Sequence, residues 1–551
     1  MMKIFRISGI KLALDESEAL LIEKIMALLS ISRTDVISLD IVKKAIDARR
    51  NKPPHFVYVI KISIADDLPI PDKLEGGIQL EEVEDKRQEP QFIKTSAPEL
   101  PVAIAGSGPA GLFAAYVLAK RGVPVLLLER GTSIEKRTLD VQNFWEKGIL
   151  NPSSNVLFGE GGAGTFSDGK LTSRSKNPYA AWVKQVLVEM GAPPRIITDA
   201  KPHVGTDQLR KVVINLRNRL ISMGCSIRFE AQLTDFIHRQ GHLEALLINA
   251  KEEIKAKHLI LAIGQSADDT YKKLFSGGVK MEAKPFAMGL RVEHPQELIN
   301  FLQYGKWSKN PCLPPAEYFI TAAITDLDRS VYTFCMCPGG SVIGCSAFPG
   351  CVLTNGMSNY HRDGEFANSA VVVNVRVEDF SPDGRPLAGL DFRSNWEKKA
   401  FALGGSNYKA PAQSLGAFLD AKPAAVAGRT SYRPGVTPSL LQDALPEFVT
   451  GALRRGIYEF NRKMPGFITE DAQLIGVETR TSSPVRICRR SDGQSETVYG
   501  IYPCGEGSGY SGGIISSALD GIKAAENLIN SISKSSATFV GVVVGILNVC
   551  T

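Results

Sequence analysis

The sequence predicts an α/β protein of three parts, and three observations predict it. An apolar strand at Pro101–Ala105 leads through a glycine-rich turn into a helix and then a second apolar strand, Val125–Leu128. A further apolar strand, His258–Ile263, ends at Gly264 after a helix and several short alternating segments. Residues 1–66 carry a strand, helix and strand pattern of their own. Continuous apolar runs mark strands buried on both faces, and alternation marks half-buried ones.

Length and composition set the frame. At 551 residues the chain exceeds what one hydrophobic core organises, so two or three domains are expected. The net charge of +6 is small and no dense Lys/Arg block occurs, which argues against a nucleic-acid partner. Nine scattered cysteines form no disulfide framework, so a reducing, cytoplasmic compartment is expected. Seven histidines form no ligand cluster, and no metal is expected.

The N-terminal module reads as a strand at residues 3–10, a helix within 15–30, a mixed segment at Val36–Ala48 and an alternating strand around Phe56–Ile62. It is expected to be a small α+β (ferredoxin-like) unit that serves docking or scaffolding. Residues 67–100, rich in Pro, Glu and Gln, read as a linker. A dinucleotide-binding domain of the Rossmann type is expected over 101–284 and again over 471–532, with an α+β substrate domain inserted at 285–470. Thr206 to Gly224 reads as a helix capped by Thr206, with further helices near 365 and at 441–462. Phe539–Val549 is nearly all apolar, about half of the ~20 residues that span a bilayer. The expected form of this tail, 533–551, is a strand or a disordered end, and no firm membrane contact is predicted.

Gly106-Ser107-Gly108-Pro109-Ala110-Gly111 is G-x-G-x-x-G between a strand and a helix, the context such a motif needs. The first glycine permits the turn, the second lets backbone approach a pyrophosphate, and the third lets helix pack on strand. The anion sits at the helix N-terminus. Glu129, 18 residues after Gly111 and followed by Arg130, closes the second strand and suits a ribose diol while repelling a 2′-phosphate. Late in the chain, Gly505-Glu506 ends an apolar strand and Gly512-Gly513-Ile514 opens a helix. An acid and a glycine-led helix start of that kind suit a ribityl hydroxyl and a flavin carbonyl, so FAD fits better than NAD. Gly162-Ala163-Gly164 lies in a glycine cluster (Gly159–Thr165) that suits backbone laid against a flat ring.

With these blocks the chain resembles the glutathione-reductase-like superfamily of FAD-binding proteins. More narrowly it is similar to a largely uncharacterised family of bacterial FAD-dependent dehydrogenases, through residues 158–172, 334–340, 354–358, 430–440 and 478–487. The resemblance implies FAD and an oxidoreductase, with no substrate. Where the superfamily usually has Asp, this chain has Glu506, one methylene longer. A second G-x-G-x-x-G and a redox C-x-x-x-x-C are absent, which argues against a disulfide reductase.

The remaining candidates divide between chemistry and packing. Asp168 and Lys170 are either flavin or substrate contacts or surface charges. Cys335 and Cys337 alternate on one face of a strand, where a disulfide is poorly placed, and read as buried thiols. Arg433, Arg480 and Arg486 suit an acidic substrate or core salt bridges. The expected function is a FAD-dependent oxidoreductase acting on a small molecule, with an external electron donor. The alternatives are a flavin-binding docking protein and an RNA-modifying flavoprotein.

Overall fold

The computed structural model describes residues 2–547 except 50–51, 67, 72–73, 75, 85–91, 96, 174, 176, 424 and 427, with side chains to Ser533. Its centre is a five-stranded parallel sheet in the order Ile501–Pro503, Leu259–Leu261, Val102–Ala105, Val125–Leu128 and Ser226–Arg228. Every one of these short strands pairs in parallel, and four of the five are fully or almost fully buried, which explains their unbroken apolar sequences. The helix Pro109–Lys120 and the late helix that starts at Ile514 cross each other on this sheet. They approach so closely that a Cβ at Gly521 would collide with the Ala110 carbonyl.

Residues 286–478 build a second, mixed sheet of eight strands. Its middle strands, Arg329–Gly344, Phe366–Val375, Phe286–Pro295 and Gln473–Glu478, are antiparallel neighbours. The helix Glu447–Lys463 covers one face through Val449, Leu453, Ile457 and Phe460. A three-stranded meander (Leu233–Lys255) extends the first region.

The N-terminal sheet has the order Val36–Asp47, His55–Ala65, Met2–Ala13, Gln79–Glu82, all antiparallel. That is the strand order of a ferredoxin-like fold, with one helix (Leu20–Leu29) among the described residues where that fold has two. Its core is Ile7, Ile25, Leu29, Ile60, Ile62 and Ile64.

Several expectations are corrected. The mixed segment Val36–Ala48 is a strand over Val36–Asp47, paired with His55–Ala65 through two register irregularities that break its alternation. Part of the expected linker, Gln79–Glu82, is the fourth strand of the N-terminal sheet. The helix signal near 365 falls on the strand Phe366–Val375, whose Val-rich interior is buried on both faces. Thr206 does not cap its helix: Gly205 holds that position, and the Thr206 hydroxyl donates to the Thr165 carbonyl (2.7 Å). The late helix runs from Ile514 to Leu547, so the tail is helical backbone rather than strand, and residues 548–551 lie outside the described ones. Among the described residues no helix is long and apolar enough to cross a membrane.

Candidate functional site

A cavity of about 530 Å³ lies between the parallel sheet and the mixed sheet. Its first wall is the turn Gly106–Ala110. Gly106 has φ +104°, and a Cβ there would collide with the Ala262 carbonyl. Gly108 faces Gly162: a methyl group at Gly108 would stand 3.8 Å from the Gly162 α-carbon, so backbone alone lines that gap. Gly111 stands outside the lining. It packs under the turn, against the Gly106 carbonyl. Pro109 is the first helical residue, and the helix N-terminus offers unpaired N–H groups.

Glu129 is 4% exposed and its carboxylate is saturated by its own chain. One oxygen accepts from the Ser107 N–H (2.9 Å) and hydroxyl (2.8 Å), the other from the N–H groups of Gly131 (2.9 Å) and Gly159 (3.1 Å). A carboxylate has about four acceptor positions. Glu129 therefore ties the first turn to the second glycine loop. Ser107 is held in this way and does not line the cavity. Arg130 lines it, forked onto Asp269 (3.1 and 2.5 Å) and lying over the Phe158 ring.

The second loop, Asn155–Gly164, is organised by a residue that sequence reading missed. Arg137 is fully buried and donates to the carbonyls of Asn155 (2.8 Å), Val156 (2.9 Å), Gly159 (3.3 Å), Glu160 (2.6 Å) and Gly162 (3.0 Å). Its helix, Ile134–Lys147, turns this face inward. Burial pushes the guanidinium down to about 10, with the Glu129 and Glu160 charges opposing the shift. The loop ends in a short helical turn, and Gly164 lies against Ile514.

The third wall is Gly264, Gly505, Glu506, Gly512, Gly513 and Ile514, all of which line the cavity. Gly505 has φ +76° and its N–H donates to Asp520 (2.9 Å). Burial pushes the Glu506 carboxyl up to about 7. Among the described residues its side chain accepts one hydrogen bond, from Gln265 (3.2 Å).

The mixed sheet supplies the fourth wall. The strand Arg329–Gly344 is bulged between Phe334 and Cys337, and Cys335 sits at φ +47°. The bulge breaks the expected alternation: half-buried Cys335 lines the cavity and Cys337 is enclosed. Arg291, fully buried and paired with Glu478 (2.9 Å), donates to the Cys335 carbonyl (2.7 Å). The Cys337 thiol, against the opposing effect of burial and with Arg291 and Lys170 nearby, holds Cys335 well below the ordinary thiol range. Asp168 and Lys170 also line the cavity and are not surface charges. Burial opposes ionisation of Asp168, but Arg362 (2.9 and 2.5 Å), Lys170 and the Ser358 hydroxyl outweigh it and hold the carboxyl low. Of the three arginines, only Arg480 reaches the cavity, forked onto buried Glu397 (2.9 and 2.8 Å). Arg486 is paired with Glu282 (2.8 Å) outside it.

Three regions match known families. Residues 99–143 match an FAD binding domain, residues 285–481 match the family described as "FAD-dependent protein, C-terminal domain-like", and residues 4–63 match a domain of unknown function (DUF8436). A Clostridium beijerinckii protein, named "Uncharacterized protein", is 43% identical over 529 residues, which is 95% of this chain and 98% of that protein. The chain belongs to this family of FAD-dependent proteins. Its cofactor is FAD. Among solved structures it is similar to a geranylgeranyl bacteriochlorophyll reductase-like protein from Thermoplasma acidophilum (TM-score 0.36, 14% identity, 80% of each chain). It is similar also to a mutant of the halogenase PltM in complex with FAD (TM-score 0.36, 11% identity, 80% of this chain and 71% of that one).

The cavity fits such a cofactor. Its glycine walls admit a flat ligand against bare backbone. Gln265 Oε1 and Arg130 Nε are buried, belong to residues that line the cavity and have no hydrogen-bond partner among the described residues, so polar capacity is left for a ligand. Among the described residues no group of His, Cys, Asp and Glu could hold a metal ion.

Proposed function

We propose that FAD lies along this cavity with its pyrophosphate at the Gly106–Gly111 turn, its adenosine toward Glu129 and Arg130, and its ring between Gly162–Gly164, Gly512–Ile514 and Cys335. One observation carries this reading. The cavity joins the glycine turn, Glu506 and the Gly512–Ile514 helix start to the bulged strand of the mixed sheet in one space. On this reading residues 286–478 are an inserted substrate domain, and the arrangement is that of the glutathione-reductase-like superfamily.

The bound flavin would accept or donate two electrons as a hydride at the face toward the mixed sheet. The chain does the rest. N–H groups at the helix start hold the pyrophosphate. Glu129, its four acceptor positions engaged by the chain, fixes the two glycine loops, and the ribose meets the pocket edge beside Arg130. Glu506 accepts from a ribityl hydroxyl. The bulged strand and the Asp168–Arg362 pair wall the ring end. The partners on this reading are a small-molecule substrate and an external electron donor, without nucleic acid. The eight free cysteines among the described residues support a reducing compartment, the cytoplasm.

Gly108→Arg and Gly111→Asp test the placement. Each is expected to abolish flavin retention while far-UV circular dichroism keeps most of its amplitude. Full flavin in either variant would contradict the pyrophosphate assignment. Catalysis is tested by anaerobic titration: NAD(P)H or a substrate should bleach the flavin, and reduction by dithionite alone would favour a binding protein.

A further inference from the structure

A second cavity, of about 1100 Å³, opens beside the first. Three regions wall it: Lys44–Arg49 and Phe56 of the N-terminal sheet, residues 195–203, and residues 302–321 with 360–362 of the mixed-sheet region. The N-terminal sheet is fixed in this position by backbone. The Lys44 N–H donates to the Thr198 carbonyl and the Ala200 N–H to the Lys44 carbonyl, both at 2.8 Å. Lys201, Glu317, Tyr318, Phe319 and Arg362 line both cavities, so the larger one leads to the ring end of the smaller.

Its charges are arranged in one sense. Six Lys/Arg and three Asp/Glu line it, and although Lys44 and Arg362 are engaged by Glu18 and Asp168, three pairs repeat one geometry. In Lys201–Glu317, Arg49–Asp47 and Arg195–Asp199 the carboxylate is recessed, with side chains 19, 17 and 14% exposed. The cations stand out at 71, 77 and 56%. The acids hold the bases from behind, and the face offered to the cavity is cationic. Phe319, 69% exposed where the two cavities join, adds a bare aromatic face. Such a combination recognises an anion that carries a ring.

We propose that this cavity is the antechamber through which a ring-bearing anionic molecule, a carboxylate or a phosphate, reaches the flavin. Lys201, Arg49 and Arg195 anchor the anion and Phe319 receives the ring. The N-terminal module is then a wall of the substrate site, and not only a docking or scaffolding unit. The inference rests on the flavin placement proposed above.

The test uses the flavin-loaded full chain. Binding of 8-anilinonaphthalene-1-sulfonate, a ring-bearing anion, is followed by fluorescence. Access to the flavin is followed by stopped-flow reoxidation of the reduced protein with ferricyanide, an anion, and with hexaammineruthenium(III), a cation. In the Arg49→Glu/Arg195→Glu variant, whose residues line only the larger cavity, dye binding should weaken at least tenfold. The ferricyanide-to-ruthenium rate ratio should fall at least tenfold, with flavin content unchanged. The control Lys257→Glu/Lys272→Glu makes the same charge change elsewhere and should keep both values within twofold. Displacement of the dye by inorganic pyrophosphate identifies a phosphate site, and displacement by benzoate a carboxylate site. Displacement by neither, or an unchanged rate ratio with flavin intact, overturns the antechamber. Loss of the flavin from the wild-type chain would instead overturn the flavin reading, and dye binding would still score the anion site.

Discussion

The two ends of the cavity proposed to hold the flavin are built from different materials. At the pyrophosphate end the wall is backbone: the turn Gly106–Ala110, where Gly108 faces the Gly162 α-carbon. At the ring end, side chains from distant sequence join the glycines: Asp168 with Arg362, Arg291 with Glu478, Arg480 with Glu397. A backbone wall is specified by local sequence, because only glycine admits the positive φ and the close approach at Gly106 and Gly162. A side-chain wall is specified by topology, because its ion pairs join residues that lie far apart in the sequence. Local lesions at the first end should therefore remove the cofactor, whereas lesions at the second should change its chemistry.

The largest expected effect sharpens the contrast at the backbone end. Arg137→Ala leaves five loop carbonyls without their donor in a buried setting, and should cost about 3 kcal/mol or more in urea unfolding. Flavin should dissociate faster as the loop loosens. A cost under about 1 kcal/mol with flavin retained would show that the loop holds itself.

Glu506 lies between the two ends. Its free carboxyl titrates at about 7 because burial disfavours the charge, and hydroxyl donors from the ribityl chain favour the ionised form. Binding then releases a proton below that pH. FAD affinity of the apoprotein should therefore rise with pH, by at most about tenfold per unit, up to about 7 and level off above it. Glu506→Gln should flatten the profile. A wild-type profile already flat from about pH 5 to 8 would remove Glu506 from the ribityl contact.

At the side-chain end, Cys335 should react with iodoacetamide at pH values where ordinary thiols are protonated. The adjoining Cys337 thiol, Arg291 and Lys170 stabilise its thiolate. Cys335→Ser should remove that reactivity while flavin content stays the same. Reactivity that follows an ordinary thiol profile would return Cys335 to the packing role that sequence reading gave it. The smallest effect is the boundary case: Arg486→Ala breaks an exposed pair with Glu282 and should change stability by less than about 0.5 kcal/mol.

What was legible in the sequence follows the same division. The parallel strands and the glycine turn can be read because each has a local signature of apolar run, spacing or positive φ, whereas the Glu129 carboxylate, expected on a ribose, is taken up by Ser107, Gly131 and Gly159. Arg137 could not be read: an arginine in a helix reads as surface, and only the fold of residues 155–162 shows that it is enclosed. The bulge at Cys335 was hidden because an alternating pattern assumes a regular strand. The strand Gln79–Glu82 was hidden by its acidic composition, since an edge strand needs little apolar sequence. The antechamber could not be read at all, because its walls come from three regions that touch only in the folded chain.

The central claim is that one FAD occupies the cavity beneath the Gly106–Gly111 turn. The most direct measurement is the visible absorption spectrum of the purified full-length protein, with chromatography of the flavin released on denaturation. The account predicts a two-banded flavin spectrum and one FAD released per chain. A colourless protein that takes up no added FAD would contradict it.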